Sequence, residues 1–232
     1  AEAYNNLGNV LRDLDQLDEA ISCYSEAIIF NPEYIEALYS LANSFYENAQ
    51  FENAIEAYQK ALEIKPDYPT LHNNLGNVYK DLGQLDDAVN SYKEAVKIDP
   101  NYSEAHNNLG NVYNDLLQFD SAVKSYQKAL KINPDFPALH NNLGNTFRSL
   151  KQLDNAIKSY EDALIHNPDF PESHNNLGIA FFELDKLEDA VKCFKRAIAI
   201  KPNYDEAYNN LGTIFVNLGL LNDAVKSFEK AI

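Results

Sequence analysis

HNNLGNVY occupies residues 106–113, and the identical phrase stands 34 residues earlier, at 72–79. A close variant, HNNLGNTF, follows 34 residues later, at 140–147. Shorter forms open the chain as YNNLGN at 4–9 and return as YNNLG at 208–212. A fixed period of this length predicts an array of stacked supersecondary units, in which no single unit has a sufficient core of its own.

The period divides the chain into seven repeats, the last of which is truncated. The repeats span residues 1–34, 35–68, 69–102, 103–136, 137–170, 171–204 and 205–232. Positions within each repeat are numbered 1 to 34. We expect residues 1–232 to form one array. Because the chain lacks a starting Met and residue 1 opens a repeat, we also expect it to be a fragment of a longer protein.

Two amphipathic helices are predicted in each repeat. Positions 4, 7, 8 and 11 share one face of a helix A, which we expect at positions 2 to 14. Ala at 20 and 27 and an aromatic residue at 24 indicate a helix B at 17 to 31. Proline at 32 ends helix B, and Asp, Asn or Glu at 33 is expected to cap the next helix A. Small residues at 8 and 20 predict close contact between the two helices.

These positions resemble the tetratricopeptide repeat (TPR) pattern over the whole chain: Leu at 7, Gly or Ala at 8, Ala at 20 and 27, an aromatic residue at 24 and proline at 32. The resemblance implies an all-α fold, a right-handed α-solenoid of antiparallel helix pairs. It also implies that helix A lines the concave side of the resulting superhelix.

Asparagine is concentrated on helix A, where 17 of the chain's 29 asparagines occupy positions 5, 6 and 9. Asparagine is a poor helix former, but its amide carries both a donor and an acceptor. A row of amides would therefore pair with the backbone of an extended peptide. The alternative is that the amides serve hydrogen bonding between repeats or solvation. The predicted peptide-binding residues are Asn6, Asn9, Asn43, Asn74, Asn77, Asn108, Asn111, Asn142, Asn145, Asn176 and Asn210.

Acidic residues recur at position 13, in the last turn of helix A, where the helix dipole opposes an anion. Two explanations are open: pairing with Arg12, Lys80 or a neighbouring repeat, and attraction of a basic partner. This predicted acidic rim consists of Asp13, Glu47, Asp81, Asp115 and Glu183. The net charge of −16 disfavours nucleic acid and anionic membranes as partners. An extended neutral-to-basic peptide is the partner that we expect.

No catalytic motif, metal site or cofactor site is predicted. His72, His106, His140 and His174 occur once per repeat, so they do not converge on one point as metal ligands must. Cys23 and Cys193 occupy equivalent positions five repeats apart and are interpreted as packing residues. In repeats six and seven, the apolar residues Ile179, Phe182 and Val216 replace polar residues on or beside the polar face of helix A. They would either hold an apolar side chain or meet a further segment of the protein.

The pattern therefore favours a noncatalytic, intracellular scaffold, cytoplasmic or nuclear, that binds proteins. An alternative is the substrate-recruiting arm of an enzyme, because the Asn row and the phrases at 134–137 and 168–171 resemble the superhelix of O-linked N-acetylglucosamine transferases. The carboxylate clamp of other TPR proteins needs Lys or Arg at positions 2, 5 and 6, where this chain has none. Head-to-tail self-association through uncapped ends is a third expectation.

Overall fold

The computed structural model describes all 232 residues, which form fourteen α-helices and no strand. Each repeat contributes two helices, as the periodicity predicts. The helices are α1 (Glu2–Asp13), α2 (Leu17–Phe30), α3 (Ile35–Glu47), α4 (Phe51–Ile64), α5 (Pro69–Asp81), α6 (Leu85–Ile98), α7 (Ser103–Asp115), α8 (Phe119–Ile132), α9 (Pro137–Ser149), α10 (Leu153–His166), α11 (Pro171–Glu183), α12 (Leu187–Ile200), α13 (Asp205–Asn217) and α14 (Leu221–Lys230). The fold class is thus the predicted all-α solenoid of helix pairs.

The chain divides into two compact units, Ala1–Val112 and Tyr113–Ile232. In the first unit, α1 packs on α2, α3 on α4 and α5 on α6, while α2 and α4 also contact the helix that follows them. In the second unit, α9 packs on α10, α11 on α12 and α13 on α14, with α8, α10 and α12 each contacting the next helix. Each helix pair therefore buries its apolar faces against its partner and its neighbours.

The aromatic ring at position 24 fills the contact between the two helices of a pair. Tyr92 is fully buried, and a Cβ atom added to Gly76 would lie 2.6 Å from its Cε1. Tyr160 lies in the same way against Gly144, where the distance would be 2.5 Å. Glycine at position 8 gives the ring room in these repeats, because an added Cβ would overlap it. The second repeat instead has Ala42 at this position and still keeps Tyr58 fully buried.

The most deeply buried positions of helix A differ in part from the predicted face. Positions 3 and 10 are fully buried in most repeats, as Leu71 and Val78 illustrate. By contrast, His72 at position 4 and Tyr79 at position 11 remain half-buried. The face predicted from positions 4, 7, 8 and 11 is therefore rotated toward positions 3 and 10, because helix A also packs against helices of the adjoining repeats.

The expected cap at position 33 is wrong. Helix A follows an aromatic residue at position 34, such as Tyr68 or Phe136, and no side chain caps it with a hydrogen bond. Pro69, Pro137 and Pro171 occupy the first turn, where the missing N–H is tolerated. The helix start is thus set by extended backbone at 34 and by proline.

A left-handed residue at position 15 makes each turn from helix A to helix B. Only two repeats use glycine there, Gly83 and Gly219, each with φ of 73°. The other five place a side chain in this region, with φ between 55° and 60°, at Asp15, Ala49, Leu117, Lys151 and Asp185. Most repeats therefore accept some backbone strain at this turn.

Candidate functional site

Within each of the two units, the asparagines at positions 5, 6 and 9 lie on the surface of the helices A, and we call this surface the amide face. Four of the six position 5 asparagines are buried, and Asn73 and Asn175 are fully inaccessible to solvent, whereas Asn107 is half-buried and Asn209 is exposed. The position 6 and 9 amides, such as Asn74 and Asn77, are half-buried, while Asn6 in the first repeat is exposed. The amide face therefore presents a partly exposed outer layer above a buried inner one.

Four of the position 9 amides each accept a hydrogen bond from the tyrosine at position 24 of their own repeat. Tyr92 donates its hydroxyl to Oδ1 of Asn77 at 2.7 Å, and Tyr160 donates to Oδ1 of Asn145 at 2.8 Å. Burial raises the pKa of the Tyr92 hydroxyl, which remains a donor at neutral pH. The same bond joins Tyr24 to Asn9 and Tyr58 to Asn43.

The position 6 amides bridge one repeat to the preceding one. Nδ2 of Asn108 donates to Oδ1 of Asn73 at 3.1 Å and to Oδ1 of Asn77 at 3.2 Å. Nδ2 of Asn74 donates to Oδ1 of Asn43 at 3.2 Å. Asn176 and Asn210 donate in the same way to Asn141 and Asn175. Part of the polar capacity of this surface is thus used for contacts between repeats, one of the two roles considered for the amides.

The position 5 amides complete a directional chain that begins at a carboxylate. Oε1 of Glu104 accepts from Nδ2 of Asn73 at 3.2 Å, and Asn73 in turn accepts from Asn108. A carboxylate only accepts, so Asn73 must turn Nδ2 toward Glu104 and Oδ1 toward Asn108. Glu206 orients Asn175 in the same way at 3.1 Å. Glutamate at position 2 thus orients a buried amide of the preceding repeat in both cases.

This network fixes which amide atoms remain available. Asn108 and Asn210 use Nδ2 within the protein, and their Oδ1 atoms receive no hydrogen bond from a protein donor. Asn77 and Asn145 use Oδ1, and their Nδ2 groups donate to no protein acceptor. None of these atoms is sealed away from solvent. The amide face therefore presents acceptors at Asn108 and Asn210 and donors at Asn77 and Asn145, whereas Oδ1 of Asn74 already accepts from Asn73 at 3.4 Å.

The position 4 histidines have a structural role that the sequence did not reveal. Nε2 of His72 lies 2.9 Å from the carbonyl oxygen of Pro66, and Nε2 of His174 lies 3.0 Å from that of Pro168. Since a carbonyl only accepts, Nε2 carries the proton. The same bond joins His106 to Pro100 and His140 to Pro134. Each histidine thus ties the start of helix A to the loop before it.

Two residues of the predicted acidic rim have partners within the protein, and the other three form no ion pair. Oδ2 of Asp81 accepts a hydrogen bond from the Tyr46 hydroxyl at 2.5 Å, and burial together with this neighbour raises the pKa of Tyr46 to about 12. Glu183 lies 3.4 Å from Nζ of Lys151 and 3.9 Å from Nε of Arg148, both in the preceding repeat. Asp13, Glu47 and Asp115 are exposed and form no ion pair.

Repeat six changes the character of the surface. Ile179 replaces the position 9 asparagine, and a pocket of about 300 Å³ opens beside it. Its lining consists of Ile179, Phe182, Glu183, Phe194, Asn210 and Thr213. Two of the three apolar exceptions to the polar pattern, Ile179 and Phe182, thus line one pocket, and the third, Val216, lies outside its lining.

Metal ligands, cysteines and membrane-spanning helices are the other features of the chain that bear on its function. No group of three or more His, Cys, Asp or Glu side chains is arranged to hold a metal ion. Both cysteines are free, and burial raises the pKa of the Cys193 thiol to about 12, so it is a poor nucleophile at neutral pH. None of the helices combines the length and apolar character needed to cross a bilayer.

Family models match nearly the whole chain. The model described as TPR repeat matches residues 8–49, 42–83, 76–116, 144–185 and 180–219. Two models described as tetratricopeptide repeat match residues 103–136 and 125–158. In a sequence comparison with curated proteins, nothing matched.

Solved structures with the same fold include MamA, which is 27% identical over 68% of this chain and 92% of its own, with a TM-score of 0.64. YrrB, described as a TPR protein with an unusual peptide-binding site, is 24% identical over 77% of this chain and 92% of its own, with a TM-score of 0.64. A tetratricopeptide repeat protein from Parabacteroides merdae covers 99% of this chain and 91% of its own at 18% identity, with a TM-score of 0.77.

Proposed function

The chain belongs to the tetratricopeptide repeat family, and we propose that it is a noncatalytic scaffold whose amide face binds an extended, neutral-to-basic peptide. One observation carries this proposal. The hydrogen-bond network leaves Oδ1 of Asn108 and Nδ2 of Asn77 without a protein partner on the same surface. A peptide backbone needs both an acceptor and a donor, and these two atoms supply them.

The network also makes binding more favourable by holding the amides in place beforehand. An isolated asparagine would lose side-chain rotamer freedom on binding, at about 0.5–1.5 kcal/mol per side chain. Here Asn108 is already held by Asn73 and Asn77, so little of that freedom remains to be lost. Each backbone hydrogen bond then adds roughly 0.5–1.5 kcal/mol. Several such bonds together bind a peptide without selecting its side chains.

The charge of the chain sets the preferred sign of the partner. The net charge is −16, and the exposed Asp13, Glu47 and Asp115 of the acidic rim have no internal counter-ion. A peptide with Lys or Arg side chains would therefore be attracted, and an acidic peptide repelled. The same field disfavours a phosphate backbone.

The test is a screen of displayed random decapeptides against the wild-type chain and an Asn108/Asn176/Asn210→Ala variant. We expect the variant to lose most of the selected binding. The matched control is Asn53/Asn90/Asn155→Ala, which removes three exposed amides from the helices B of other repeats. Thermal unfolding of all three chains separates a loss of binding from a loss of folding.

Equal peptide binding by the amide-face variant and the control would contradict the proposal. Salt gives a second readout, because affinity for a selected basic peptide should fall as ionic strength rises from 50 to 500 mM, over about a threefold shortening of the Debye length. A flat salt dependence would remove the acidic rim from the proposed site and leave the amide face to be judged on the variants.

A further inference from the structure

A paired change separates repeat six from the five repeats before it. In those five, position 24 is tyrosine and position 9 is asparagine, and the hydroxyl of Tyr160 donates to Asn145 at 2.8 Å. In repeat six the two positions hold Phe194 and Ile179. The donor and its acceptor are absent together, so no buried polar atom is left without a partner. The apolar surface at Ile179 is therefore built into the packing of the repeat.

The replacement creates a pocket with a closed apolar floor. Phe194 is 1% exposed and forms the floor, while Ile179 and Phe182 of α11 are half-buried and form one wall. Asn210 and Thr213 of α13 form the opposite wall. The volume of about 300 Å³ lies at the small end for ligand pockets and accommodates one large side chain.

The polar groups at the edge of the pocket determine which hydrogen-bonding group of the ligand can lie next to that side chain. Asn210 donates Nδ2 to Oδ1 of Asn175 at 3.1 Å, so its own Oδ1 is left to accept a hydrogen bond. Thr213 donates its hydroxyl to the carbonyl of Asn209 at 3.0 Å and likewise keeps acceptor capacity. Glu183 adds a carboxylate, also an acceptor, at the same edge. The edge therefore suits a main-chain N–H and disfavours an acidic side chain.

We infer that Ile179, Phe182 and Phe194 form a specificity pocket for one large aliphatic or aromatic side chain of a bound peptide, with the adjacent main-chain N–H donating to Oδ1 of Asn210. The inference rests on the proposed function and deepens it. The amide face binds backbone without distinguishing sequences, whereas the pocket selects one apolar residue. Partners would then carry a leucine, isoleucine or phenylalanine at a fixed place within a neutral-to-basic segment.

The experiment follows the methyl signals of 13C-labelled isoleucine in the full chain by NMR during titration with N-acetyl-leucine methylamide. The matched probes are the glycine and aspartate analogues of the same compound. We expect a saturable shift of the Ile179 methyl signals with the leucine probe, and an affinity at least about tenfold weaker for the other two, because burying such a side chain is favourable by that factor or more.

Variants place the binding at this pocket. Phe182→Asn keeps the Ile179 reporter and should abolish the saturable shift. Val216→Asn makes the same kind of change at the equivalent position of the next repeat, outside the pocket, and should leave the shift intact. The double variant Ile179→Asn with Phe194→Tyr introduces the polar pair of the earlier repeats, so we expect it to fold. Because it lacks the Ile179 reporter, probe binding is followed by saturation-transfer NMR on the probe's methyl groups, and we expect that signal to be lost.

The outcomes separate the pocket from the amide face. Equal shifts for the leucine and glycine probes, or a shift that survives Phe182→Asn, would overturn the pocket. A decapeptide selected in the screen supplies the second arm. If replacing its leucine by glycine changes nothing while Asn108/Asn176→Ala, which keeps the pocket residue Asn210, abolishes binding, the pocket fails and the proposed function stands. If no decapeptide binds but the leucine probe does, the proposed function fails and the pocket remains.

Discussion

Nδ2 of Asn108 donates to Oδ1 of Asn73, thirty-five residues earlier, at 3.1 Å. Asn73 is fully buried, and it accepts this bond only because its own Nδ2 is directed at Glu104. One carboxylate thus determines the orientation of two amides in succession. The result is an exposed acceptor on Asn108 whose direction does not depend on a ligand.

Replacing the middle member of this chain should destabilise the protein. Asn73→Ala leaves Nδ2 of the half-buried Asn108 with a single partner and opens a small cavity, so we expect a loss of about 1–3 kcal/mol in the free energy of unfolding. Urea denaturation followed by circular dichroism measures it. Asn209→Ala is the control, at the same position of the last repeat but exposed. Similar losses from both variants would contradict the role given to Asn73.

The bond from Tyr160 to Asn145 should appear as a coupling energy. Tyr160→Phe leaves Oδ1 of the half-buried Asn145 without its donor, and Asn145→Ile leaves the buried Tyr160 hydroxyl without its acceptor. Each should cost about 1 kcal/mol. The double variant copies the pair found in repeat six, so its cost should be smaller than the sum of the two. A double-mutant cycle by urea denaturation measures the difference, which we expect at roughly 0.5–3 kcal/mol. Strict additivity would show that the two side chains act independently.

Replacing Leu117 by glycine should stabilise the protein. Its φ is 59° and its side chain is 73% exposed, so it combines left-handed strain with little packing. Leu117→Gly relieves about 1–2 kcal/mol of strain and adds about 0.5–1 kcal/mol of unfolded-state entropy, so we expect a net gain of up to about 1 kcal/mol.

The reverse change, Gly83→Leu, should lower stability by a similar amount, because φ at Gly83 is 73° and nothing lies within 4 Å of an added Cβ. Thermal and urea unfolding of both variants check the pair. Opposite signs are expected, and a loss from Leu117→Gly would mean that its exposed side chain contributes to packing.

His174 should make the protein less stable as the pH falls. Burial lowers the pKa of this imidazole, and its bond to Pro168 only partly opposes that effect. The unfolded chain, whose His pKa is about 6.5, therefore takes up a proton before the folded one does. This contribution to stability is present above that pH and is lost as the pH falls through the folded-state pKa.

An NMR titration of the His174 ring measures the pKa of this imidazole in the folded protein directly, and we expect a midpoint below about 6.5. The slope of unfolding free energy against pH between about 5 and 7 should decrease in His174→Gln, which keeps a donor but does not titrate. A midpoint at or above the unfolded value would contradict the assignment.

The repeat period could be predicted because the same positions recur in each repeat. Ala20 and Tyr24 and their equivalents mark the buried face of helix B, and Pro69 and its equivalents mark where helix A begins. The partners of those residues could not be predicted in the same way. Asn73 and Asn74 are adjacent residues of the same type, yet Asn73 is buried and Asn74 is half-buried.

The sequence by itself determined the helix pairs, the family and the concentration of amides on helix A, since each follows from a period that can be counted along one chain. Only the tertiary structure decided which atom of each amide is used internally, that Glu104 directs Asn73, and that Ile179 and Phe194 share a pocket wall and floor. The reason is that hydrogen-bond direction and pocket shape depend on side chains from different helices, which become neighbours only when the repeats pack together.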